Sequence, residues 1–329
     1  MLRTGIFGAG HLGKIHIEQW QKIEQAQITG FYDPDDAQAA ATEARFGIKR
    51  YTDADKLIAD SDALDVISTT TTHYEIAKKC LLGGKHVFIE KPLANTLEEG
   101  RELVDLVKEA NVKCQVGHVE RYNPAFLALG DQTVHPMFIE AHRLAQFNPR
   151  GTDVSVILDL MIHDIDIILC LVRSPVRRIS ASGVAVLSET ADIANARIEF
   201  DNGCVANLTS SRISLKKMRK MRLFQRDAYI GIDLLEKKTE IIRLKEGEED
   251  ASSLTDLPID LGNGEKKILS IESPQISPLN AIHAELSEFT TAVLQDRPVR
   301  VSVYDGYQAM DVAHQVLKKM SLHNQLHNV

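Results

Sequence analysis

The chain has 329 residues, 44 % of them hydrophobic and 26 % charged, with a formal net charge of -8 and four cysteines. That length allows two domains with real cores, while the acidic balance argues against a nucleic-acid groove and the scattered cysteines, with no CxxC spacing, argue against a cysteine-ligated metal. No apolar run is long enough to span a membrane, and residues 1–20 are already committed to a strand, a Gly turn and a helix rather than a signal peptide, so a cytoplasmic protein is expected.

Residues Leu2–Phe7 read as a short strand, followed by Gly8-Ala9-Gly10-His11-Leu12-Gly13 and then by Ile15, Ile17 and Trp20 at helical spacing. This is GxGxxG between a strand and a helix. The first glycine permits a tight turn, the second lets backbone approach a pyrophosphate, and the third allows close helix-to-strand packing. A second apolar run, 28–32, ends on Asp33, 20 residues beyond Gly13, the spacing at which a carboxylate accepts hydrogen bonds from an adenosine ribose. Gly8, Gly10, His11, Leu12, Gly13 and Asp33 are therefore expected to hold NAD. NADP is disfavoured, because Asp33 repels a 2′-phosphate and no arginine directly follows it.

Strand and helix signals then alternate: a strand over 63–67 and a helix over 74–82, a strand over 85–90 and a helix over 97–110, and a strand over 112–116. The alternation predicts an α/β domain over 1–121 with a parallel, doubly wound sheet. Thr69 and Thr70 fall at one strand's carboxyl end, beside the expected cofactor, with His73 just beyond. The run 85–89 leads into Glu90-Lys91-Pro92, which delivers an ammonium group to the sheet edge where such folds bind ligands. Arg121, Tyr122 and Asn123 follow the last of these strands; they line a substrate cleft, or Asn123-Pro124 starts a helix and Arg121 pairs locally.

Beyond residue 121 the pattern changes to successive strand-like runs at 137–144, 176–187, 195–200, 204–210, 221–235 and 239–244. These predict an α+β domain over 122–329 with a large, mostly antiparallel open sheet. Segment 155–172 is aliphatic apart from Asp159, His163, Asp164 and Asp166, and at 3.6 residues per turn 159, 163 and 166 share a face. Charges on a helix apolar nearly all round need partners or a polar cavity. Two helices, 279–295 and 304–320, close the chain and are free to pack back on the first domain. The basic run 216–222 alternates with Met as one solvated strand face, 246–250 with Asn263-Gly264 as a loop or hairpin end, and His323 and His327 as an unliganded pair in a polar tail.

Taken together, Gly8 to Gly13, Asp33, Thr72-His73-Tyr74-Glu75-Ile76-Ala77, Glu90-Lys91-Pro92 and Asp159 with His163 resemble the Gfo/Idh/MocA family of NAD(P)-dependent oxidoreductases, over essentially the whole chain. The resemblance implies a Rossmann domain followed by a substrate-binding α+β domain that assembles homo-oligomers, dimer or tetramer, through its sheet. It also implies that Glu90 and Lys91 stand near the nicotinamide, and that Asp159 and His163 complete the catalytic set with Lys91. The segment 154–163 lacks the glycines that many members carry around the aspartate. With 116–125, which brings His118 into the substrate set beside Arg121, Tyr122 and Asn123, it is similar to the subgroup containing UDP-N-acetylglucosamine 3-dehydrogenases.

Oxidising a secondary alcohol needs a base for the hydroxyl proton while hydride leaves the same carbon. Histidine titrates near neutrality, so His163 is the expected base; Lys91 then stabilises alkoxide charge, or is itself the base, and Asp159 orients a substrate hydroxyl or the Lys91 ammonium. The expected activity is a dehydrogenase acting on a sugar derivative, best the 3-hydroxyl of a UDP-N-acetylhexosamine, with a free sugar, inositol or dihydrodiol as alternatives. An NAD-retaining glycosidase and a non-enzymatic NAD or sugar sensor are the readings from other classes. Neither nucleic acid nor membrane is an expected partner, and no metal is expected.

Overall fold

The computed structural model describes all residues except 131, 133, 149–153, 247–255, 261–265 and 328–329, and side chains are also left out at 245, 246, 256, 258, 260, 266 and 322–327. His323, His327, 247–250 and Asn263-Gly264 thus lie outside the described side chains. The chain divides into two units: Met1–Tyr122 with Leu279–Asp311, and Asn123–Pro278 with Val312–Val329.

The first unit alternates β1(Leu2–Phe7), α1(His11–Trp20), β2(Ala26–Tyr32), α2(Asp36–Phe46), β3(Arg50–Tyr51), α3(Ala54–Asp60), β4(Ala63–Val66), α4(Thr70–Leu82), β5(His86–Glu90), α5(Leu97–Ala110) and β6(Cys114–Gly117). Its six strands are all parallel in the order β3-β2-β1-β4-β5-β6. Strand residues on both faces are buried, as a sheet covered by helices requires: Phe7, Leu64, Val66, Val87, Ile89 and Val116 join one core with Leu57, Leu81 and Leu103, and Ile6, Phe31 and Phe88 join another with Ile17 and Trp20. Each such side chain contributes about 1.5–3 kcal/mol of burial. Local signals fix the helix ends. Asp35 caps α2 by accepting from Gln38 N–H, and left-handed Gly47 stops it; Thr96 and Glu99 form a reciprocal capping box on α5.

The second unit opens with α6(Pro124–Leu127) and carries a nine-stranded sheet: β7(Phe138–Leu144), β8(Val176–Val184), β9(Ile193–Phe200), β10(Val205–Ser211), β11(Met218–Phe224), β12(Ala228–Asp233), β13(Lys238–Glu246), β14(Asp256–Asp260) and β15(Lys266–Glu272). Among the described residues β10 and β7 are the one parallel pair of this sheet, and its other pairs are antiparallel. One face is apolar and buried through Ile139, Ala141, Ala196, Ile198, Leu208, Leu223 and Ile230. Helix α7(Ile162–Val172) packs on β7, where Arg143 makes a buried two-pronged bond to Asp164 at 2.8–3.2 Å.

The structure redraws several sequence expectations. The run 221–235 is two strands, since Gln225, Arg226 and Asp227 turn the chain, with Gln225 Nε2 donating to Asp227 at 2.8 Å. Segment 155–172 is not one straight helix: Ile157–Met161 forms a π-helical turn before α7, so the 159/163/166 stripe bends and Asp166 is only 1 % exposed. The sheet's outer face mixes apolar and charged side chains. Phe138, Phe224 and Tyr229 stack there, but Arg222 pairs with Glu140 and Lys220 with Asp233, which also absorbs part of the basic run. Among the described residues no helix is long and apolar enough to cross a membrane.

The last helices are α8(Ala281–Leu294) and α9(Val303–His327). Helix α8 and the start of α9 belong to the first unit. Between them the chain closes the sheet edge: Val116 N–H donates to Val301 carbonyl at 3.1 Å and Gln115 bridges Ser302, leaving β6 no open edge there.

Candidate active site

The loop from β1 to α1 is shaped by its glycines. Gly8 has φ of 103°, and a Cβ there would meet the Ile67 carbonyl at 2.7 Å; a Cβ on Gly13 would sit 2.2 Å from the Gly8 carbonyl oxygen. Gly10 faces open space, with nothing within 4 Å of its would-be Cβ. It is the N-cap of α1 and contributes no side-chain cap, so the first N–H groups of α1 are left for an anion. A cavity of about 690 Å³ opens here, walled by Gly8, Gly10, His11, Leu12, Gly13, Asp33, Ile58, Ser68, Thr69, Thr72 and Ile76. Free helix N–H groups, a Cβ-free approach and a carboxylate on one wall are what a dinucleotide requires, and these residues fit one.

Asp33 is held by three donors: Ala9 N–H at 2.7 Å, Asp35 N–H at 2.9 Å and Gln38 Nε2 at 3.1 Å. A carboxylate has about four acceptor sites, so roughly one remains for a ribose hydroxyl. Arg50 reaches the Asp33 carbonyl at 3.5 Å but is ion-paired with Asp36. Thr69 lies on the cavity wall, whereas Thr70 and His73 do not. His73 is 1 % exposed, with Nδ1 2.9 Å from the Pro92 carbonyl and Nε2 3.1 Å from the Ser68 carbonyl. Burial pulls its pKa below the ordinary value. It ties the loop after β4 to the loop after β5, a packing role beside the cofactor cavity.

At the end of β5, Lys91 is half-buried, and its backbone N–H donates to the Glu90 carboxylate at 3.0 Å. The peptide bond to Pro92 is cis. The partners of Glu90 escaped the sequence reading. His16 Nε2 lies 3.3 Å from Glu90 Oε1, and His16 Nδ1 lies 3.0 Å from Asp65 Oδ2, which also accepts from Trp20 Nε1 at 2.6 Å. Burial opposes charge on His16, but Asp65 and Glu90 together hold its pKa well above the usual value. Burial likewise opposes charge on Glu90, yet His16 and Lys91 bring its pKa below the usual carboxylate value. The sequence signal was available: His16 stands three residues beyond Gly13, on the face that α1 must bury.

The segment after β6 holds the expected substrate residues, all at low exposure: His118 1 %, Arg121 5 %, Tyr122 2 % and Asn123 7 %. Asn123 caps α6 through Oδ1, accepting from Ala125 N–H at 3.0 Å, and its Nδ2 donates to the Leu234 carbonyl at 2.9 Å. Asn123 is thus a helix cap, the second of the two readings its Asn-Pro sequence offered. Tyr122 packs in the first unit's core beneath the Arg300 guanidinium, 5.5 Å from the ring centre; burial and Glu288 push its phenol pKa up. Arg121 stands 3.9 Å from Asp305.

In the second unit, Asp159 lies in the π-helical turn and is exposed, while His163, in the first turn of α7, is half-buried. Asp164 turns inward to Arg143.

Comparisons with known proteins agree with this geometry. Residues 2–118 match the model of the oxidoreductase family with an NAD-binding Rossmann fold, GFO_IDH_MocA, and residues 127–229 match the GFO/IDH/MocA C-terminal domain. The chain is 33 % identical over 316 residues, 96 % of both chains, to UDP-N-acetylglucosamine 3-dehydrogenase of Acidithiobacillus ferrooxidans; a solved structure of that enzyme superposes with a TM-score of 0.87 at 32 % identity, covering 97 % of both chains. Myo-inositol 2-dehydrogenase of Thermotoga maritima is 25 % identical, covering 97 % of this chain and 96 % of its own. With a Gly-rich cradle that fits a dinucleotide and a match along nearly its whole length, the chain belongs to the Gfo/Idh/MocA oxidoreductases and is an NAD(P)-dependent dehydrogenase acting on hydroxyl groups.

Proposed function

We propose that the enzyme oxidises the 3-hydroxyl of a UDP-linked N-acetylhexosamine with NAD. The observation that carries this reading is the 33 % identity, over 96 % of both chains, to an enzyme named for that reaction. NAD, when bound, accepts hydride from the alcohol carbon. Asp33 on the cavity wall supports NAD over NADP, since it would repel a 2′-phosphate and Arg50 is already paired with Asp36.

In this reading His163 takes the hydroxyl proton, Lys91 stabilises the oxygen as charge develops, and Asp159 orients a hydroxyl or the Lys91 ammonium. His118 and Arg121 belong to the proposed substrate set as residues of the loop after β6 that line the cleft, where an arginine fork suits a phosphate. The protein associates with copies of itself through the outer face of the nine-stranded sheet, where the aromatic stack of Phe138, Phe224 and Tyr229 supplies apolar area and the flanking ion pairs supply register. Sedimentation at micromolar concentration tests that association, and a monomer refutes it.

NADH absorbance tests the activity, with UDP-N-acetylglucosamine, free N-acetylglucosamine and myo-inositol in parallel and a trap for the ketone. The expected result is NADH from the nucleotide sugar alone. A signal from myo-inositol with silence from the nucleotide sugar refutes the substrate and leaves the dehydrogenase.

A further inference from the structure

Behind the strand end that carries Lys91, four ionisable side chains from four elements of the first unit meet out of water. They are His16 of α1, Asp65 of β4, Glu90 of β5 and Glu285 of α8; Glu90 is 7 % exposed and the other three are 0 %. One nitrogen or oxygen from each of His16, Glu90 and Glu285 lies within 4.8 Å of the other two. His16, Asp65 and Glu90 are joined by the contacts already described. Glu285 differs, for neither of its carboxyl oxygens has a hydrogen-bond partner among the described residues. A carboxylate sealed from water beside two others is neutralised rather than left ionised.

We propose that Glu285 is the neutral, proton-holding member of this cluster, and that the cluster is a positioning device that fixes Glu90 and, through it, the main chain from which Lys91 projects. Charge balance supports this. With Glu285 neutral, the His16 imidazolium and the Lys91 ammonium offset Asp65 and Glu90; His73 also feels Glu90, and Tyr122 also feels Glu285, from the elements packed beside them. Burial first, and the neighbouring Glu90 second, push the Glu285 pKa well above the usual carboxylate value. The surroundings are built for the arrangement. Gly117, the register partner of Glu90 on β6, leaves room for the carboxylate: a Cβ there would lie 2.7 Å from Glu90 Oε1. Gln115 of β6 donates to the Glu285 carbonyl at 3.1 Å and fixes the α8 backbone beside it.

The effect on turnover rests on the Lys91 role proposed above; the proton on Glu285 does not. Two measurements on the full-length enzyme with NAD separate them. Infrared difference spectra of wild type and Glu285→Gln at neutral pH read the carbonyl stretch of a protonated carboxylic acid, which is expected in the wild type and lost in the variant. Steady-state kinetics then compare Glu285→Gln, a neutral isostere, with Glu285→Ala and Glu90→Gln. The isostere is expected to rescue turnover, while Glu285→Ala and Glu90→Gln lower kcat by roughly ten- to hundred-fold with KM for NAD little changed, because a small misplacement near the chemistry costs about that much. Absence of the acid band in the wild type, a stoichiometric divalent metal in purified wild type that Glu285→Gln lacks, or equal losses in Glu285→Gln and Glu285→Ala would overturn the proposal. If Glu285→Ala does not fold, the infrared band and Glu90→Gln decide. Near-normal turnover of Lys91→Ala with the acid band intact refutes only the Lys91 role.

Discussion

Replacing Gly10 and Gly13 in turn by alanine separates cofactor binding from folding, because the two methyl groups meet opposite surroundings. At Gly10 the new Cβ has no protein atom within 4 Å and the backbone is extended, with φ of -65° and ψ of -164°. Lost chain entropy in the unfolded state favours alanine by about 0.4–1 kcal/mol. Alanine's poor N-cap preference opposes it by a few tenths to about 1 kcal/mol. The net is near zero, a shift in Tm of no more than about 2 °C. The methyl instead fills the space through which backbone approaches a pyrophosphate. Displacing one charge-assisted N–H contact costs about 1.5–3 kcal/mol, so Kd for NAD rises roughly ten- to hundred-fold. At Gly13 the Cβ lands 2.2 Å from the Gly8 oxygen and 2.9 Å from the Gly8 carbon, both main chain. Overpacking of this kind costs about 1–3 kcal/mol, about 2–12 °C in Tm, in addition to weaker NAD binding. Calorimetric titration with NAD and thermal melts of the two variants give the comparison. Normal NAD affinity in Gly10→Ala would refute the assignment of this turn as the pyrophosphate cradle.

Kinetics with the nucleotide sugar test the proposed acid-base roles: His163→Ala should lower kcat by about 10²–10⁴-fold and Lys91→Ala by about 10²–10³-fold, and near-normal turnover in either removes that residue from the chemistry. Asp164→Asn strips the buried Arg143 guanidinium of its carboxylate and should cost about 3–5 kcal/mol, seen as a Tm drop of about 6–20 °C, while the paired change Arg143→Met with Asp164→Leu recovers most of it; a drop under about 2 °C for the single change, equivalent to less than about 1 kcal/mol, contradicts the buried-pair reading. Asp192 binds the backbone N–H groups of Val186, Leu187 and Ser188 at 2.8, 2.6 and 3.0 Å. Burial opposes its charge, but the Ser188 hydroxyl and these N–H groups bring its pKa below the usual value. A depressed carboxylate stabilises the fold above the unfolded-state pKa, near 3.9, and that stability is lost as pH falls through the folded value. The wild-type melting temperature should therefore fall below about pH 4, and Asp192→Asn should flatten that part of the profile.

Much of the first unit was legible because its signals are local. The Gly turn and the spacing to Asp33 each lie within a few residues or at a fixed offset. The second unit was legible as a succession of strands, but the break at Gln225 to Asp227 was not, since apolar residues continue on both sides. The 159/163/166 stripe was drawn for a straight helix, and no sequence pattern announces a π-helical turn. Long-range partnerships stayed hidden altogether. Arg143 and Asp164 are 21 residues apart and Gln115 and Glu285 are 170 apart, and a single chain gives no way to match such partners. Asn123 shows an ambiguity of another kind: in Asn-Pro the capping signal was present and equally compatible with a cleft residue, and the bond to the Leu234 carbonyl, 111 residues away, was not readable at all.

The first unit is interrupted in the chain, and this matters for how the protein is made. Residues Met1–Tyr122 emerge from the ribosome long before Leu279–Asp311, which complete the same unit. Until then the nascent Rossmann sheet lacks Val301 and Ser302 along β6, Phe289 over Phe88, and Met310 in the opposite core. An unpaired edge and two open apolar faces are the features that recruit chaperones and promote misassembly. Most of the second unit, Asn123–Pro278, is synthesised in between, so the core beneath the Gly-rich turn is completed only once Leu279–Asp311 has emerged. A shortened chain ending before residue 279 would keep every residue that lines the cofactor cavity but lack the edge partner and core side chains that cover the sheet, so its stability should fall before its cofactor contacts do.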